Sequence, residues 1–313
     1  MQIVPFEPMH HEAAAALAAA AFRAGRRRNP LLPARWEQAT TYLPELDAIQ
    51  RHGSGVALVD GGRLRGYLVA FEVTRGDRRW TFTPEWAWAA SGRGRTGVIQ
   101  DLYAAAADRW VADGSRTQHV SVHASDRVGL GAWSWLGFGH EVMDGIRDLT
   151  PIPTAATGVR VRRARRSDAA RLGDLEEGLR QHLAGTPVFF SLGAARTLEE
   201  QRRRIGRADA AVLLAEVGGE IVGHLLVGPS SDDAATVIRD ERTASIVGAF
   251  VRVEHRRAGV AETMLATAVA WARDGGYERI AVDFETANLL ATRFWTRYFR
   301  PVTYSLVRRL PAV

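Results

Sequence analysis

Apolar residues in the second half of the chain recur at intervals that switch between the helical and the strand period. Leucines every three or four positions, beginning after a capping Ser167 or Asp168, predict a helix over Asp168–Leu183. Ala211–Glu216 and Glu220–Val227 are predicted strands joined by a glycine hairpin. The same reasoning predicts strands over Val159–Arg163, Ile246–Val253, Arg279–Glu285 and Val302–Arg308, and helices over Thr197–Ile205, from after Ala261 to near Asp274, and over Asn288–Tyr298. Helices and strands alternate only after an antiparallel start, which indicates a mixed α/β sheet.

The first half of the chain repeats this order. Residues 150–158 are rich in Pro, Thr and Ala and predict a linker. The paired positions, at offsets of 157 and then 162, are Pro30 with Pro187, Gly62 with Gly219, Gly66 with Gly223, Gly97 with Gly259, Gly114 with Gly276, Asp126 with Asn288, and Trp133 with Trp295. A repeat of this length indicates duplicated domains. We therefore expect a first domain over residues 1–149 and a second over residues 159–313.

The composition excludes several classes of protein. The 313 residues are 46% hydrophobic and 24% charged, and they contain no Cys; all 41 basic residues are Arg. Thiolate metal sites, cysteine nucleophiles, a P-loop lysine and a pyridoxal Schiff base are therefore absent. The longest apolar run, Ala13–Phe22, falls short of the ~20 residues that span a bilayer. We expect a cytoplasmic protein without a membrane partner.

The net charge of +6 invites a nucleic-acid interpretation. The arginine runs alternate with acidic residues along the chain, however, which is typical of a solvated surface. We therefore expect no nucleic-acid partner, whereas an anionic small molecule stays compatible with the surplus charge. The sequence leaves the oligomeric state open.

One motif between a strand and a helix carries candidate chemistry. In Arg256-x-x-Gly259-x-Ala261, small residues would let a ligand approach the backbone closely. The free N–H groups at the start of the following helix favour an anion, and Arg256 and Arg257 add charge at the rim. A pyrophosphate is the natural occupant.

Two other patterns carry less weight. Gly92-x-Gly94-x-x-Gly97 matches a dinucleotide fingerprint, but the strand that should precede it is doubtful. His119, His123 and Asp126 could form a metal corner, but along a strand they are spread over ~13 Å. We expect neither a nicotinamide site nor a metal site.

The loop, together with Asn288-x-x-Ala291-x-x-Phe294-Trp295, resembles the GNAT acetyltransferase superfamily. The resemblance covers residues 159–310 and extends through the repeat to residues 1–149, as in tandem GNAT proteins of actinobacterial type. It implies two tandem GNAT-like domains, each a mixed, mostly antiparallel sheet flanked by helices. Each sheet would be splayed between its fourth and fifth strands.

The resemblance also implies acetyl-CoA as the acyl donor and no metal. Coenzyme A would lie in the splay, with its pyrophosphate on the loop and its pantetheine arm along the preceding strand. The implied coenzyme-binding residues are Phe250, Val251, Val253, Arg256, Arg257, Ala258, Gly259, Val260, Ala261, Asn288 and Trp295.

The sequence departs from the family where the acid and the base are expected. Trp295 stands where the family has the Tyr that protonates the leaving thiolate, and Tyr298 is the nearest substitute. No acid lies on the fourth strand, so Asp283, Glu285 and His224 are the candidate bases; we favour Glu285 acting through water.

The family's closing Gly-Phe is also missing. Its two positions hold Phe299 and Arg300, and a one-residue deletion explains this equally well.

The first half keeps the second helix motif but not the loop. Asp126, Trp133, Gly137 and Phe138 match the family spacing, whereas Gly94 replaces Arg256 and Ile99 replaces Ala261 in the repeat alignment. Residues 86–90 show no strand alternation. We therefore expect residues 1–149 to be a degenerate copy.

The expected function is direct acetyl transfer from acetyl-CoA to an amine of a small molecule or peptide. The alternative is a non-catalytic acyl-CoA sensor or assembly module, which the missing Tyr and the missing acid on the fourth strand favour.

Overall fold

A computed structural model describes residues 1–76, 78–154, 156–190 and 193–311. The helices in this part of the chain are α1 (His11–Arg26), α2 (Leu43–His52), α3 (Arg95–Ala112), α4 (Arg127–Trp135), α5 (Ala169–Ala184), α6 (Leu198–Ile205), α7 (Val260–Asp274) and α8 (Leu289–Tyr298). The strands are β1 (Gln2–Pro5), β2 (Gly53–Asp60), β3 (Arg63–Arg75), β4 (Arg78–Thr83), β5 (Trp88–Ala90), β6 (Thr117–His123), β7 (Gly139–Asp148), β8 (Val159–Arg163), β9 (Ala211–Val217), β10 (Glu220–Pro229), β11 (Thr243–Val251), β12 (Arg279–Glu285) and β13 (Arg300–Arg309). The mixed α/β fold expected from the sequence is confirmed.

The chain divides into two compact units. The first unit comprises Met1–Asp144, Ala235–Val237 and the residues from Pro301 onward; the second comprises Gly145–Ala234 and Ile238–Arg300. The sequence analysis assigned residues 159–313 to a single domain. The contacts group the last strand with the first unit instead, because β13 pairs antiparallel with β6 from Thr303 to Arg309.

The first unit is built on a mostly antiparallel sheet. Its strands follow the order β1-β2-β3-β4-β6-β13, and β5 pairs separately with β3. Among the pairs between these strands, β4 with β6 is parallel. Helices α3 and α4 supply aromatic residues to its core, including Tyr103, Trp110 and Trp133. Trp133 packs edge-on against Phe138, with ring centroids 5.0 Å apart.

The sheet of the second unit opens along one strand junction. Its strands follow the order β8-β9-β10-β11-β12. Strand β11 pairs in parallel with β12 only over Thr243–Ile246, whereas it continues to pair with β10 as far as Val251. The two strands therefore part after Ile246, and the expected splay between the fourth and fifth strands is present.

Helices cover the sheet of the second unit through apolar stripes at the helical period. Helix α5 buries Ala169, Leu172 and Leu175 against residues of β9 and β10. Helix α7 buries Val260, Met264, Leu265, Ala268, Val269 and Ala272. The leucine spacing therefore identified the buried face of α5 correctly.

Two strands differ from their expected extents. Strand β11 begins at Thr243 and ends at Val251 rather than running over Ile246–Val253. Val253 lies in the short 3-10 turn that follows, and 65% of its surface is exposed. Residues Trp88–Ala90 form β5 although they lack alternation, because all three are buried and a strand covered on both faces has no polar side.

Within the described residues, no helix has both the length and the apolar character needed to cross a bilayer.

His224 makes the stability of the second unit depend on pH. Its side chain on β10 is completely buried, and neither ring nitrogen has a hydrogen-bond partner among the described residues. Burial lowers the pKa of His224 to about 4, although the nearby Glu176 opposes this shift. The folded state therefore keeps the ring neutral.

We expect the free energy of unfolding to fall less in acid for His224→Leu than for the unaltered protein. An unfolded imidazole binds a proton below pH ~6.5, so the stabilisation is complete above that value and declines as the pH falls towards 4. The free energy of unfolding in urea should differ between pH 7.5 and pH 5, and this difference should be smaller in the variant by about 1–2 kcal/mol. His52→Leu, at an exposed histidine, should leave the difference as in the unaltered protein. An equal pH dependence in all three proteins would contradict the assignment.

Candidate active site

A cavity of about 590 Å³ lies in the second unit where β11 runs free of β12. Its walls are the end of β11, the loop and first turn of α7, the exposed side of α8, and one turn of α5. This volume is within the ~300–1,000 Å³ that small-molecule sites occupy. The fold thus brings both sequence motifs to one pocket.

The start of α7 opens onto this cavity. Gly259 caps the helix in the left-handed region at φ 77°, and Thr263 donates its backbone N–H to the Gly259 carbonyl. The N–H groups of the residues between them have no partner within the helix, as at every helix start. An added Cβ at Gly259 would also come within 2.7 Å of Ala156, so both the backbone conformation and the space require glycine.

Four arginines are among the residues that line the cavity: Arg256, Arg257, Arg293 and Arg297. Arg256 is fixed in place, because its Nε donates to the Val251 carbonyl at 3.0 Å and its guanidinium lies 5.5 Å from the centre of the Phe250 ring. Burial lowers its pKa. The other three are exposed. The positive charge therefore combines one ordered cation with three at the rim.

The start of α8 forms the opposite edge of the cavity. Asn288 caps the helix, and its Oδ1 accepts the backbone N–H of Ala291 at 3.3 Å. The same oxygen lies 3.3 Å from Nε2 of His182 on α5. His182 lines the cavity together with Leu179, one turn earlier on the same helix. The sequence analysis missed His182; the signal was a histidine three residues after an apolar position on one helical face.

Most of the expected coenzyme-binding residues meet at this cavity. Its lining contains Phe250, Val251, Arg256, Arg257, Gly259, Val260, Ala261, Asn288 and Trp295. Val253 and Ala258 are outside the lining, and both are exposed. Val253 is displaced because β11 ends two residues before it.

The two expected catalytic residues are outside the lining. The Tyr298 hydroxyl donates to Oε1 of Glu262 at 2.6 Å, and Glu262 itself lines the cavity from the first turn of α7. Burial and this bond raise the pKa of Tyr298 to about 12, so the hydroxyl keeps its proton. Glu285 is half-buried at the end of β12, where its carbonyl accepts the Asn288 N–H at 2.9 Å. The roles of Glu285 and Tyr298 stay predictions.

The other candidate bases are also absent from the lining of the cavity. Asp283 on β12 and His224 on β10 are both outside its lining. Among the residues that the structure describes, no group of three or more His, Asp or Glu side chains could hold a metal ion.

The structure at the end of α8 distinguishes the two explanations for the missing Gly-Phe. It favours the deletion of one residue over the substitution of both. In the first unit, Gly137 leaves α4 at φ 83° and Phe138 follows. In the second unit, α8 ends at extended Phe299, which packs edge-on against Trp295 with ring centroids 5.6 Å apart. Phe299 thus takes the place of Phe138, and the glycine is the residue that is lost.

The repeat alignment expected at the loop is wrong by three residues. Gly94 caps α3 at φ 75°, as Gly259 caps α7 at φ 77°, so these two glycines correspond. Gly97 lies inside α3. The capping residues Asp126 and Asn288 do correspond as expected, and the longer α3 absorbs the three extra residues.

In the first unit, the place between β5 and β6 corresponds to the splay between β11 and β12. Side chains of the first unit fill it. Trp88 on β5 donates its indole N–H to the Ser121 carbonyl on β6 at 2.8 Å. Arg95, the first residue of α3, donates to the Ala90 carbonyl at 2.9 Å and binds both carboxylate oxygens of Asp126 at 2.7 and 3.1 Å. A ligand entering between β5 and β6 would have to displace these contacts.

Comparisons with known proteins agree with this architecture. Residues 179–299 match the model of the acetyltransferase (GNAT) family. A GCN5-related N-acetyltransferase from Sphaerobacter thermophilus superposes with a TM-score of 0.61 at 15% identity, covering 100% of this chain and 96% of that one. A tandem GNAT protein from the clavulanic acid biosynthesis pathway gives 0.51 at 16% identity, covering 100% and 99%. The glucosamine N-acetyltransferase region of a fungal multi-domain β-N-acetylglucosaminidase gives 0.56 at 15% identity, covering 98% of this chain and 38% of that one.

A comparison with curated protein sequences finds no match. The match over residues 179–299 and the shared fold nevertheless define the class of structure: the chain has a GNAT fold. More particularly, residues 179–299 match the acetyltransferase (GNAT) family, and the whole chain has the fold of a tandem GNAT protein.

We expect Asp126→Ala to destabilise the protein more than Asn288→Ala. Both changes remove a helix cap, which costs about 1 kcal/mol, but only Asp126→Ala also leaves a half-buried arginine without its carboxylate. Urea unfolding should give a loss of about 2–3 kcal/mol for Asp126→Ala. Asp126→Asn, which keeps the cap, should fall between the two alanine variants. Equal losses for both alanine variants would show that the Arg95 contacts contribute nothing.

Proposed function

We propose that the second unit is an acetyl-CoA-dependent N-acetyltransferase whose acceptor is an amine of a small molecule or peptide. The observation that carries the proposal is the open start of α7, capped by Gly259, inside a cavity bordered by four arginines. Free backbone N–H groups and the helix dipole favour an anion at this point, and guanidinium groups bind phosphate oxygens. The pyrophosphate of coenzyme A supplies that anion.

The splay suits the rest of the donor. Val247–Val251 extend beyond the last residue pair with β12, so that edge of β11 offers backbone groups outside the β11–β12 ladder. We propose that the pantetheine arm lies along this edge and that a backbone N–H near Val251 polarises the thioester carbonyl. Trp295, whose side chain is almost fully buried, forms the wall of the cavity there.

The proposed reaction is a direct transfer. The ammonium form of the acceptor loses one proton to a base, and the free amine nitrogen then attacks the thioester carbon; a C–N bond forms and the C–S bond breaks. The second nitrogen proton then leaves, and the thiolate takes up a proton. The sequence favoured Glu285 as this base, but Glu285 lies outside the lining of the cavity. Tyr298 is connected to the cavity through Glu262 and would supply the proton to sulfur.

We further propose that the first unit binds no coenzyme A. Its gap between β5 and β6 is bridged by Trp88 and closed by the Arg95–Asp126 pair.

We expect acetyl-CoA to raise the melting temperature of the full chain. At ~100 times its dissociation constant it should add ~2.7 kcal/mol of stability, or several degrees. Gly259→Glu places a carboxylate at the anion site and should abolish the shift, as measured by differential scanning fluorimetry. Gly94→Glu introduces the same side chain at the left-handed cap of α3 and should keep it.

A charge reversal at the rim tests the same site without backbone strain. Arg293→Glu should raise the dissociation constant of acetyl-CoA at least tenfold by calorimetry, because one cation at an exposed phosphate contact is exchanged for an anion. Arg202→Glu changes the net charge equally on α6, outside the cavity, and should leave binding unchanged. The proposed site would be overturned if Gly94→Glu lost the melting-temperature shift as fully as Gly259→Glu. It would also be overturned if Arg202→Glu lost as much affinity for acetyl-CoA as Arg293→Glu.

A sensor that binds acetyl-CoA without turnover is the second candidate function. It is favoured by Trp295 in place of the family's tyrosine and by the lack of an acid on β11. Release of free thiol in the presence of glucosamine, tyramine, spermidine or a tripeptide decides between the two. We expect release with at least one of these amines; tight binding with no release from any of them would favour the sensor.

A further inference from the structure

The cavity is reached from both faces of the second unit's sheet. Phe250 points to the α5 face, because a Cβ added at Gly178 of α5 would lie 2.8 Å from its ring. Val251, the next residue, points to the other face, where a Cβ at Gly223 would meet both Val251 and Met264 of α7 at 3.3 Å. Successive strand residues face opposite sides of a sheet. The anion site at the start of α7 and His182 on α5 therefore approach the splay from opposite faces.

The cap of α8 fixes which nitrogen of His182 carries the proton. The Asn288 side-chain atom that receives the Ala291 N–H must be the oxygen, since an amide NH₂ cannot accept. His182 Nε2 lies 3.3 Å from this oxygen and must therefore be the donor. In the neutral ring the other nitrogen, Nδ1, then bears the lone pair.

We propose that His182 is the general base of the transfer, with Asn288 as its positioning residue; this rests on the proposed function. Nδ1 takes one proton from the ammonium nitrogen of the acceptor, which frees the lone pair that attacks the thioester carbon, and later releases the proton to solvent. The acceptor enters from the α5 face, while the coenzyme is held from the α7 face. The two substrates thus meet in the splay without crossing.

The other charged and titratable groups that line the cavity fit this task less well. His255 lies in the 3-10 turn just before the anion loop, so it belongs to the phosphate end. Glu262 accepts the Tyr298 hydroxyl. The arginines cannot act as bases near neutral pH.

Nitrogen-15 NMR of the histidine rings tests the tautomer without any substrate. We expect the neutral ring of His182, assigned by its loss in His182→Gln, to be protonated at Nε2. Asn288→Ala removes the acceptor and should shift the ring towards a mixture of both tautomers. A ring protonated at Nδ1 in the unaltered protein would overturn the proposal, because no lone pair would then face the acceptor.

Kinetics with the most active of the four probe amines test the role itself. His182→Gln should lower kcat ~10²–10³-fold, the usual contribution of a general base, while the dissociation constant of acetyl-CoA changes less than twofold. Added imidazole should restore part of the rate in His182→Ala. Gln181→Ala, the exposed neighbour on α5, should keep full activity.

The outcomes distinguish a failure of the proposed role of His182 from a failure of the proposed transferase function. An unchanged kcat in His182→Gln, or a fall in acetyl-CoA affinity as large as the fall in kcat, would overturn the role of His182 alone. Failure of the unaltered protein to bind acetyl-CoA, or to turn over any of the four amines, would overturn the transferase assignment and the base with it.

Discussion

Backbone groups at an opened strand junction need partners, and this requirement governs both halves of the molecule. A sheet that splits in its middle leaves main-chain N–H and C=O groups without their ladder, and burying them unpaired is costly. In the second unit, β11 leaves β12 after Ile246, and the resulting edge borders a cavity. In the first unit, Trp88 and Arg95 supply hydrogen bonds to carbonyl groups at the corresponding place. In the first unit, side chains of the chain itself thus meet this requirement, whereas in the second unit the free edge borders an open cavity.

The residue that caps the last helix of each copy follows the same division. Asp126 carries a charge and draws Arg95 across the gap. Asn288 performs the same capping with a neutral amide, so this cap adds no carboxylate to the cavity, and its oxygen also lies 3.3 Å from Nε2 of His182. The difference between a carboxylate and an amide at one position accompanies the difference between a filled and an open gap.

The sequence was sufficient for what depends on local pattern. The elements of the second half follow from periodicity and capping, and the loop at Gly259 follows from its position between a strand and a helix. The repeat alignment failed at Gly97 because counting glycines ignores backbone conformation; only a left-handed residue can begin α3, and that residue is Gly94. His182 was missed because its partner lies 106 residues away, a separation that no local pattern reports.

Because of the position of β13, cleaving the chain once between its two halves does not separate the two units. Its residues follow α8 in the chain, yet they form a strand of the first unit's sheet beside β6. Cleaving the polypeptide between β7 and β8 would leave β6 without its partner β13 and would separate β13 from the sheet it completes; exposed strand edges of this kind promote aggregation. The sheet of the first unit is therefore complete only when β13, which follows α8 in the chain, has been synthesised.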